Sequence, residues 1–325
     1  MKKEDLKIVF MGTPEFAVET LKALIEGGYH VVGVVTQPDK PVGRHGSVLH
    51  QSEVKQYALS QGLPVLQPVK MKDPEFLEQL KAWNANLQVV VAFRMLPEVV
   101  WAMPQYGTFN VHAALLPKYR GAAPINWAVI NGETETGVTT FFLDHDIDTG
   151  RIIMSEKMAI PDDADVEYVY DGLMHLGADI CLKTIDKIVE GNGVAPSVPQ
   201  TESGDLPLAP KIFKETCCIN WQQTAKRVYD FVRGLSPYPG AWTTIEGENM
   251  KPTVLKIFQT RKTGKKTGDT AVGAIKVEQG QVFVAAHDEW LEILQLQLAG
   301  KKRMDARSFA NGLHASDLNI RTTEE

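Results

Sequence analysis

Short apolar runs alternate with amphipathic stretches through the first 190 residues. Lys7 to Met11 reads as a strand, and Gly12 turns the chain. Thr13-Pro14-Glu15 carries the marks of a helix start: an N-cap, a first-turn proline and an acid beside the positive helix end. Phe16, Ala17, Leu21, Leu24 and Ile25 then recur at helical spacing, Gly27-Gly28 stops the helix, and Val31 to Val35 is a second strand. Two parallel strands joined by a helix make a right-handed βαβ unit. The alternation continues with a helix over Glu53–Gln61, a short strand over Pro64–Leu66 and an amphipathic stretch over Phe76–Trp83. Leu87 to Ala92 is a continuous apolar run, suited to a strand buried on both faces. Strands follow at Thr108–His112, Gly137–Leu143 and Ile152–Ala159, and a long helix lies within Val166–Val189. This pattern predicts an α/β fold, a doubly wound, Rossmann-like domain on a mostly parallel sheet.

The pattern changes near Gly191. Residues 193–210 are rich in proline and polar side chains and read as a linker. Thr224–Leu235 is predicted as a helix. Short strands follow at Ala241–Ile245, Thr253–Gln259, Val272–Val277, Gln281–Ala286 and Leu291–Leu298, before a helical segment over Lys301–Gly312. Turn residues at short intervals predict a smaller C-terminal β-barrel of the OB-like kind. The expected organisation is a catalytic domain at 1–192, a linker at 193–210 and a barrel domain at 211–325, and a chain of 325 residues suits two domains.

Composition narrows the function classes. No apolar run reaches the roughly 20 residues of a membrane span, and the N-terminus lacks a signal peptide's apolar stretch, so a cytoplasmic protein is expected. The three cysteines, Cys181, Cys217 and Cys218, form no CxxC pair, which argues against a disulfide framework or a cysteine zinc site. Residues 1–200 hold 17 Lys+Arg against 25 Asp+Glu, whereas residues 201–325 hold 17 against 15. The C-terminal part is therefore relatively basic. Its bases cluster at Arg261-Lys262-Thr263-Gly264-Lys265-Lys266 and at Lys301-Lys302-Arg303, where they either coat a solvated hairpin tip or meet a phosphate backbone. The first turn has Gly12 alone in place of G-x-G-x-x-G, which weighs against a dinucleotide site. The stretch from Thr36 to Gly46, with three basic side chains among prolines and glycines, reads as an exposed, mobile loop.

The candidate chemistry sits beside the later strands. Asn110 and His112 are two apart, so on a strand they share one face, and they stand at the carboxyl end where α/β sheets put ligands. A buried polar pair there is costly unless hydrogen-bonded. Asp148 follows the next strand and precedes a turn at Gly150, within reach of His112. An amide for an oxyanion, a histidine for proton transfer and a carboxylate to orient it fit acyl transfer to an amine. The bland alternative is a structural N-x-H. The Asp144/Asp146/Asp148 trio with His145 resembles part of a calcium loop, but it lacks the required glycine and terminal glutamate, so no metal is expected.

The next stretch, Ala114-Leu115-Leu116-Pro117-Lys118-Tyr119-Arg120-Gly121-Ala122-Ala123-Pro124-Ile125, followed by Asp148-Thr149-Gly150, resembles the methionyl-tRNA formyltransferase family of 10-formyltetrahydrofolate-dependent enzymes. The resemblance extends from Phe10-Met11-Gly12-Thr13-Pro14-Glu15 to Ala299-Gly300-Lys301-Lys302 and takes in Pro237-Tyr238-Pro239-Gly240-Ala241. It implies formyl transfer from 10-formyltetrahydrofolate to the amino group of methionine on initiator tRNA. Asn110, His112 and Asp148 would be the catalytic trio. Ala114, Leu115, Leu116 and Pro117, with Ala92, Phe93, Arg94 and Met95, would line the folate site. Lys40 and Arg44 would lie in a loop contacting the tRNA, and Lys265, Lys266, Lys301 and Lys302 would carry it on the barrel. The family usually has serine where this chain has Ala114, and its segment after the buried strand is one residue longer than Ala92-Phe93-Arg94-Met95-Leu96-Pro97. A monomer is expected. The nearest alternative is a related formyltransferase or hydrolase acting on a small molecule. A nucleic-acid-binding module on an inert scaffold would leave the trio unexplained.

Overall fold

The computed structural model describes residues 1–43, 46, 48–202, 204–312 and 317–321. The chain divides into two compact units. The first comprises residues 1–121, 135–159 and 170–208, and the second 122–134, 160–169 and 209–325. The bounds of these units differ from the divisions expected at 193 and 210. Residues 193–208 lie with the first unit, where Val198 and Ile152 exchange backbone hydrogen bonds of 2.8 and 2.9 Å.

The first unit is built on seven strands: β1 (Ile8–Gly12), β2 (Val31–Val35), β3 (Val65–Leu66), β4 (Leu87–Val91), β5 (Thr108–His112), β6 (Glu135–Phe142) and β7 (Ile152–Ala159). Their spatial order is β7-β6-β5-β4-β1-β2-β3, parallel from β3 through β5 and antiparallel from β5 through β7. The order reverses at β1, the topological switch point of an open α/β sheet. Alternate residues of the central strands serve opposite faces. Val9, Met11, Val35 and Val90 join Phe76, Leu80 and Val100 in one core cluster. On Gly177 of the long helix Val166–Glu190, an added Cβ would meet both Val111 and Phe16 in ordinary contact.

The helix start differs in detail from expectation. Pro14 is the capping residue and Glu15 the first helical one. Thr13 turns its hydroxyl to the backbone N–H of Gln37, 3.4 Å away. Gly12 is required by packing, since a Cβ there would stand 2.7 Å from the Cβ of Ala17 and 2.9 Å from the carbonyl oxygen of Val91. Within the stretch read as a loop, Lys40–Val42 forms a short strand paired antiparallel to Val48–His50. Asp39 at its base accepts from Lys55 Nζ and from Gln67 Nε2, both at 2.7 Å.

The second unit holds an antiparallel, nearly closed barrel-like sheet of β8 (Ala241–Gly247), β9 (Met250–Lys266), β10 (Ile275–Glu278), β11 (Gln281–Ala285), β12 (Glu289–Leu298) and β13 (Leu318–Ile320). The spatial order is β10-β11-β12-β9-β8-β13. A bridge between Ala274 and Asn319 draws the two ends of the sheet together. Its interior is apolar: Ile245, Leu255, Ile257, Val282, Val284, Leu291 and Ile293 pack with Val228 and Val232 of the helix Ala225–Gly234. The strand expected at Thr253–Gln259 runs on to Lys266 through three register shifts against β12. Such bulges let a strand bend. The final helix is Ala306–Gly312, with Lys301 and Lys302 before it. Among the described residues, no helix is long and apolar enough to cross a membrane.

Candidate active site

His112 ends β5, and its neighbours Phe109 and Val111 are buried in the sheet. Its ring is fixed from both sides. Nε2 lies 2.9 Å from the carbonyl oxygen of Tyr119. A carbonyl only accepts, so Nε2 carries hydrogen. Nδ1 faces Oδ2 of Asp148 at 3.7 Å. One ring nitrogen thus faces a carbonyl oxygen within hydrogen-bond distance and the other a carboxylate oxygen just beyond it. With His112 6% and Asp148 13% exposed, their attraction is screened less than in open water.

Asp148 is itself held in place. Its Oδ2 accepts the backbone N–H of Gly121 at 2.9 Å. Its φ is 57°, and that of Tyr119 is 60°, so two non-glycine residues of the site occupy the left-handed region. Such conformations cost about 1–3 kcal/mol each and persist where the surroundings over-determine them. Gly150 follows because nothing larger fits: a Cβ would stand 1.6 Å from the carbonyl oxygen of Phe142.

Asn110 presents a different feature. Its Oδ1 is buried and has no hydrogen-bond partner. The two ends of a carboxamide have the same shape, so this position offers a donor or an acceptor to an incoming group. The structure brings Asn110, His112 and Asp148 to the carboxyl edge of the sheet.

Two loops leave that edge side by side, after the neighbouring parallel strands β4 and β5. Ala114 to Pro117 is clamped by Thr139 of β6, whose hydroxyl accepts from Leu116 N at 3.1 Å and donates to Ala114 O at 2.7 Å. Ala114 is fully buried and Leu116 nearly so, leaving Leu115 and Pro117 partly open. Ala92 leaves β4 with φ of 47° and Met95 is 64% exposed. Phe93 packs toward the core. Arg94 spends its guanidinium on the carbonyl oxygens of Pro68 and Val69. Burial holds its pKa below the usual arginine value.

The acidic segment before Asp148 builds a turn. Asp144 Oδ1 accepts from Asp146 N at 3.2 Å and from Thr149 Oγ1 at 2.7 Å. His145 packs edge-on against Trp101. No group of three or more His, Cys, Asp or Glu positioned to hold a metal ion occurs among the described residues. Cys181 and Cys217 are buried and Cys218 is half-buried, all three unbridged.

The basic residues lie on two surfaces. Lys40 is exposed on its hairpin arm, and Arg44 lies outside the described residues. In the second unit, part of the basic run is paired locally: Arg261 with Glu292 at 3.2 Å, Lys262 with Asp162 at 2.8 Å and Lys266 with Glu289 at 2.9 Å. Lys265 stands 5.8 Å over the ring of Phe283. Lys301 and Lys302 are exposed on the turn after β12.

Sequence reasoning misses the groups that hold the trio. The Tyr119 carbonyl and the Gly121 N–H are backbone atoms and carry no residue-type signal. Thr139 is a fully buried hydroxyl within a strand, and that departure from an apolar run was readable.

A doubly wound sheet ending in an Asn-x-His strand beside a carboxylate, with a barrel-like second unit, defines a class. The formyl transferase profile matches residues 6–185 and the formyl transferase C-terminal domain profile matches residues 211–314. The chain belongs to the formyl transferase family. It is 59% identical over 317 residues to the methionyl-tRNA formyltransferase of Parabacteroides distasonis, covering 96% of this chain and 97% of that one. It is 56% identical over 322 residues to the methionyl-tRNA formyltransferase of Bacteroides fragilis, with 98% of each chain covered. Among solved structures, a sugar 3N-formyl transferase, WlaRD, matches with a TM-score of 0.63 at 18% identity, over 91% of this chain and 99% of that one. HypX from Aquifex aeolicus, solved with tetrahydrofolic acid, matches with a TM-score of 0.61 at 17% identity, over 94% of this chain and 46% of that one. These two likenesses concern the fold.

Proposed function

We propose that the chain transfers the formyl group of 10-formyltetrahydrofolate to the amino group of methionine on initiator tRNA. One observation carries the reading: the His112–Asp148 pair shares its strand end with Asn110, whose buried Oδ1 has no hydrogen-bond partner, in a chain alignable almost end to end with methionyl-tRNA formyltransferases. The methionyl amine attacks the formyl carbon, forming a C–N bond and a tetrahedral oxyanion. Asn110 stabilises that charge as a donor aimed at a developing oxyanion, and protonated His112 does so by its positive charge. Asp148 orients the imidazole and balances its charge. The carbon's bond to N10 of the folate then breaks, and the proton released by the amine ends on N10.

The two loops at the sheet edge, Ala114–Pro117 and Ala92–Met95, are assigned to the folate. Partly open Leu115, Pro117 and Met95 offer apolar surface to a flat ring, while Arg94 acts by bracing its loop. Lys40 and Arg44 are assigned to the acceptor end of the tRNA. Lys265, Lys266, Lys301 and Lys302 are assigned to its phosphates, work typical of lysine and arginine. The chain acts as a monomer in the cytoplasm.

Single-turnover transfer from 10-formyltetrahydrofolate to charged initiator tRNA, compared with free methionine, tests the reading. Rapid formylation of the tRNA alone is expected. Folate turnover with no formylated tRNA would replace the proposal with a hydrolase or a small-molecule formyltransferase.

A further inference from the structure

Arg120 and Gln200 lie 80 residues apart in sequence and meet beside the catalytic carboxylate. The Arg120 guanidinium donates twice to Gln200 Oε1, from Nη2 at 2.8 Å and from Nε at 3.2 Å. The Gln200 amide group donates to the carbonyl oxygens of Asp148 and Gly150, both at 2.8 Å. Every hydrogen-bonding position of this carboxamide is therefore filled: two bonds accepted at oxygen and two donated from nitrogen. Its segment is laid against the sheet by the Val198–Ile152 backbone pair and by Arg151, whose Nε donates to Ser197 Oγ at 3.0 Å.

The carbonyls that Gln200 grips flank a residue in a strained conformation. Asp148 has φ of 57°, and a small rotation about its backbone would swing Oδ2 away from both His112 and Gly121. Arg120 immediately precedes Gly121, whose N–H holds that same Oδ2, and directly follows Tyr119, whose carbonyl holds His112. One short segment thus fixes the imidazole by its first residue, grips Gln200 by its second and holds the carboxylate by its third.

We propose that Arg120 and Gln200 form a positioning lock for the formyl transfer reaction, with Gln200 holding the Asp148–Gly150 backbone and Arg120 holding Gln200. The inference rests on the proposed function for its kinetic readout, while its structural readout stands alone. Neither residue touches the reacting atoms. The segment that reads in sequence as a linker is, by this lock, part of the catalytic centre.

The test exploits the asymmetry of the carboxamide. In Gln200→Glu the oxygen facing Arg120 survives as an acceptor, but the carboxylate faces two carbonyl oxygens with no proton to donate. If Gln200 only anchors Arg120, this variant behaves like the parent protein. If it holds Asp148, kcat falls about 10- to 100-fold with KM for both substrates nearly unchanged, as expected when a group is misplaced by up to an ångström. Gln200→Leu gives the same loss, and Arg120→Lys an intermediate one. Glu202→Ala is the control. Glu202 is 67% exposed and pairs with the outer face of Arg120, so its removal leaves kcat within about twofold.

Hydrogen exchange at the Gly121 amide reads the lock without any substrate. The Asp148 carboxylate protects this amide, and exchange is expected to quicken at least about tenfold in Gln200→Glu but not in Glu202→Ala. Parent-like kcat together with parent-like Gly121 exchange in Gln200→Glu overturns the lock. A parent protein that formylates nothing overturns the proposed function, while the exchange comparison still decides the lock.

Discussion

Gly121 donates its backbone N–H to Oδ2 of Asp148 at 2.9 Å, the same oxygen that faces Nδ1 of His112. The carboxylate is therefore aimed by the main chain before it meets the imidazole. A backbone donor has no rotamers, so the aim depends on how the Gly121 and Asp148 backbones are held.

Asp148→Asn keeps the size of the side chain and its access to the left-handed region, which asparagine tolerates. It removes the charge that supports imidazolium. We expect an unchanged melting temperature and a loss of about 10²- to 10⁴-fold in kcat. Near-parental turnover would remove Asp148 from the mechanism.

Gly150→Ala forces a Cβ into the carbonyl of Phe142, so the turn must move. A cost of about 1–3 kcal/mol in chemical denaturation is expected, as for other overpacked positions. Because Gly150 O also accepts from Gln200, kcat should fall as well. A variant of parental stability and activity would mean that the turn has room to relax.

Asp230 and Arg233 form a buried pair in the second unit, with Arg233 Nη2 at 2.8 Å from Asp230 Oδ1. Arg233 also donates to Ala164 O at 2.9 Å. Asp230→Ala leaves the guanidinium buried without its counter-charge and should destabilise by about 3–5 kcal/mol. Asp230→Ala with Arg233→Met should recover much of that stability. Urea titration of the three proteins gives the answer, and equal stability of the single and double variants would contradict it.

Asp39 ties the hairpin base to Lys55. The hydrogen bond from Lys55, then that from Gln67, holds its carboxyl below the usual aspartate pKa. The sign follows from linkage: a depressed carboxyl stabilises the fold above its unfolded pKa, and that contribution fades as pH falls through the folded value. NMR titration of the Asp39 carboxyl should give a value that rises toward the ordinary one in Lys55→Met. No change between the two proteins would show the ion pair to be absent in solution.

Lys301→Glu with Lys302→Glu should weaken tRNA binding and flatten its salt dependence, by roughly 0.7–0.9 in the log–log slope for each phosphate no longer neutralised. Transfer at saturating tRNA should be unchanged. An unaltered slope would take these lysines out of the tRNA surface.

Much of the first unit was legible because its code is local. Val9 and Met11 alternate with Ile8 and Phe10, and parallel strands buried on both faces read as apolar runs. The candidate trio could be nominated because Asn110 and His112 are polar residues within such a run. What stayed hidden depends on groups without a residue signature or on distant pairing. The Tyr119 carbonyl and Gly121 N–H are examples. Lys262 to Lys266 looked like a turn because they are polar, yet pairing with β12 keeps them in strand. Lys40 to Val42 looked like a loop for a similar reason, and only its partner Val48–His50 makes it a strand. Residues 122–134 and 160–169 join the second unit through packing that no sequence boundary announces.

The strand Leu318–Ile320 pairs with β8 on one side and bridges to Ala274 next to β10 on the other. It therefore covers the β8 edge and touches the chain just ahead of β10 at the other edge. An uncovered edge is a row of unpaired N–H and C=O groups that recruits further strands. Removing the chain after residue 312 would strip away both contacts together. The shortened protein should assemble into insoluble aggregates even where its catalytic unit remains folded, so these last few residues govern colloidal behaviour from a position remote in sequence from the chemistry.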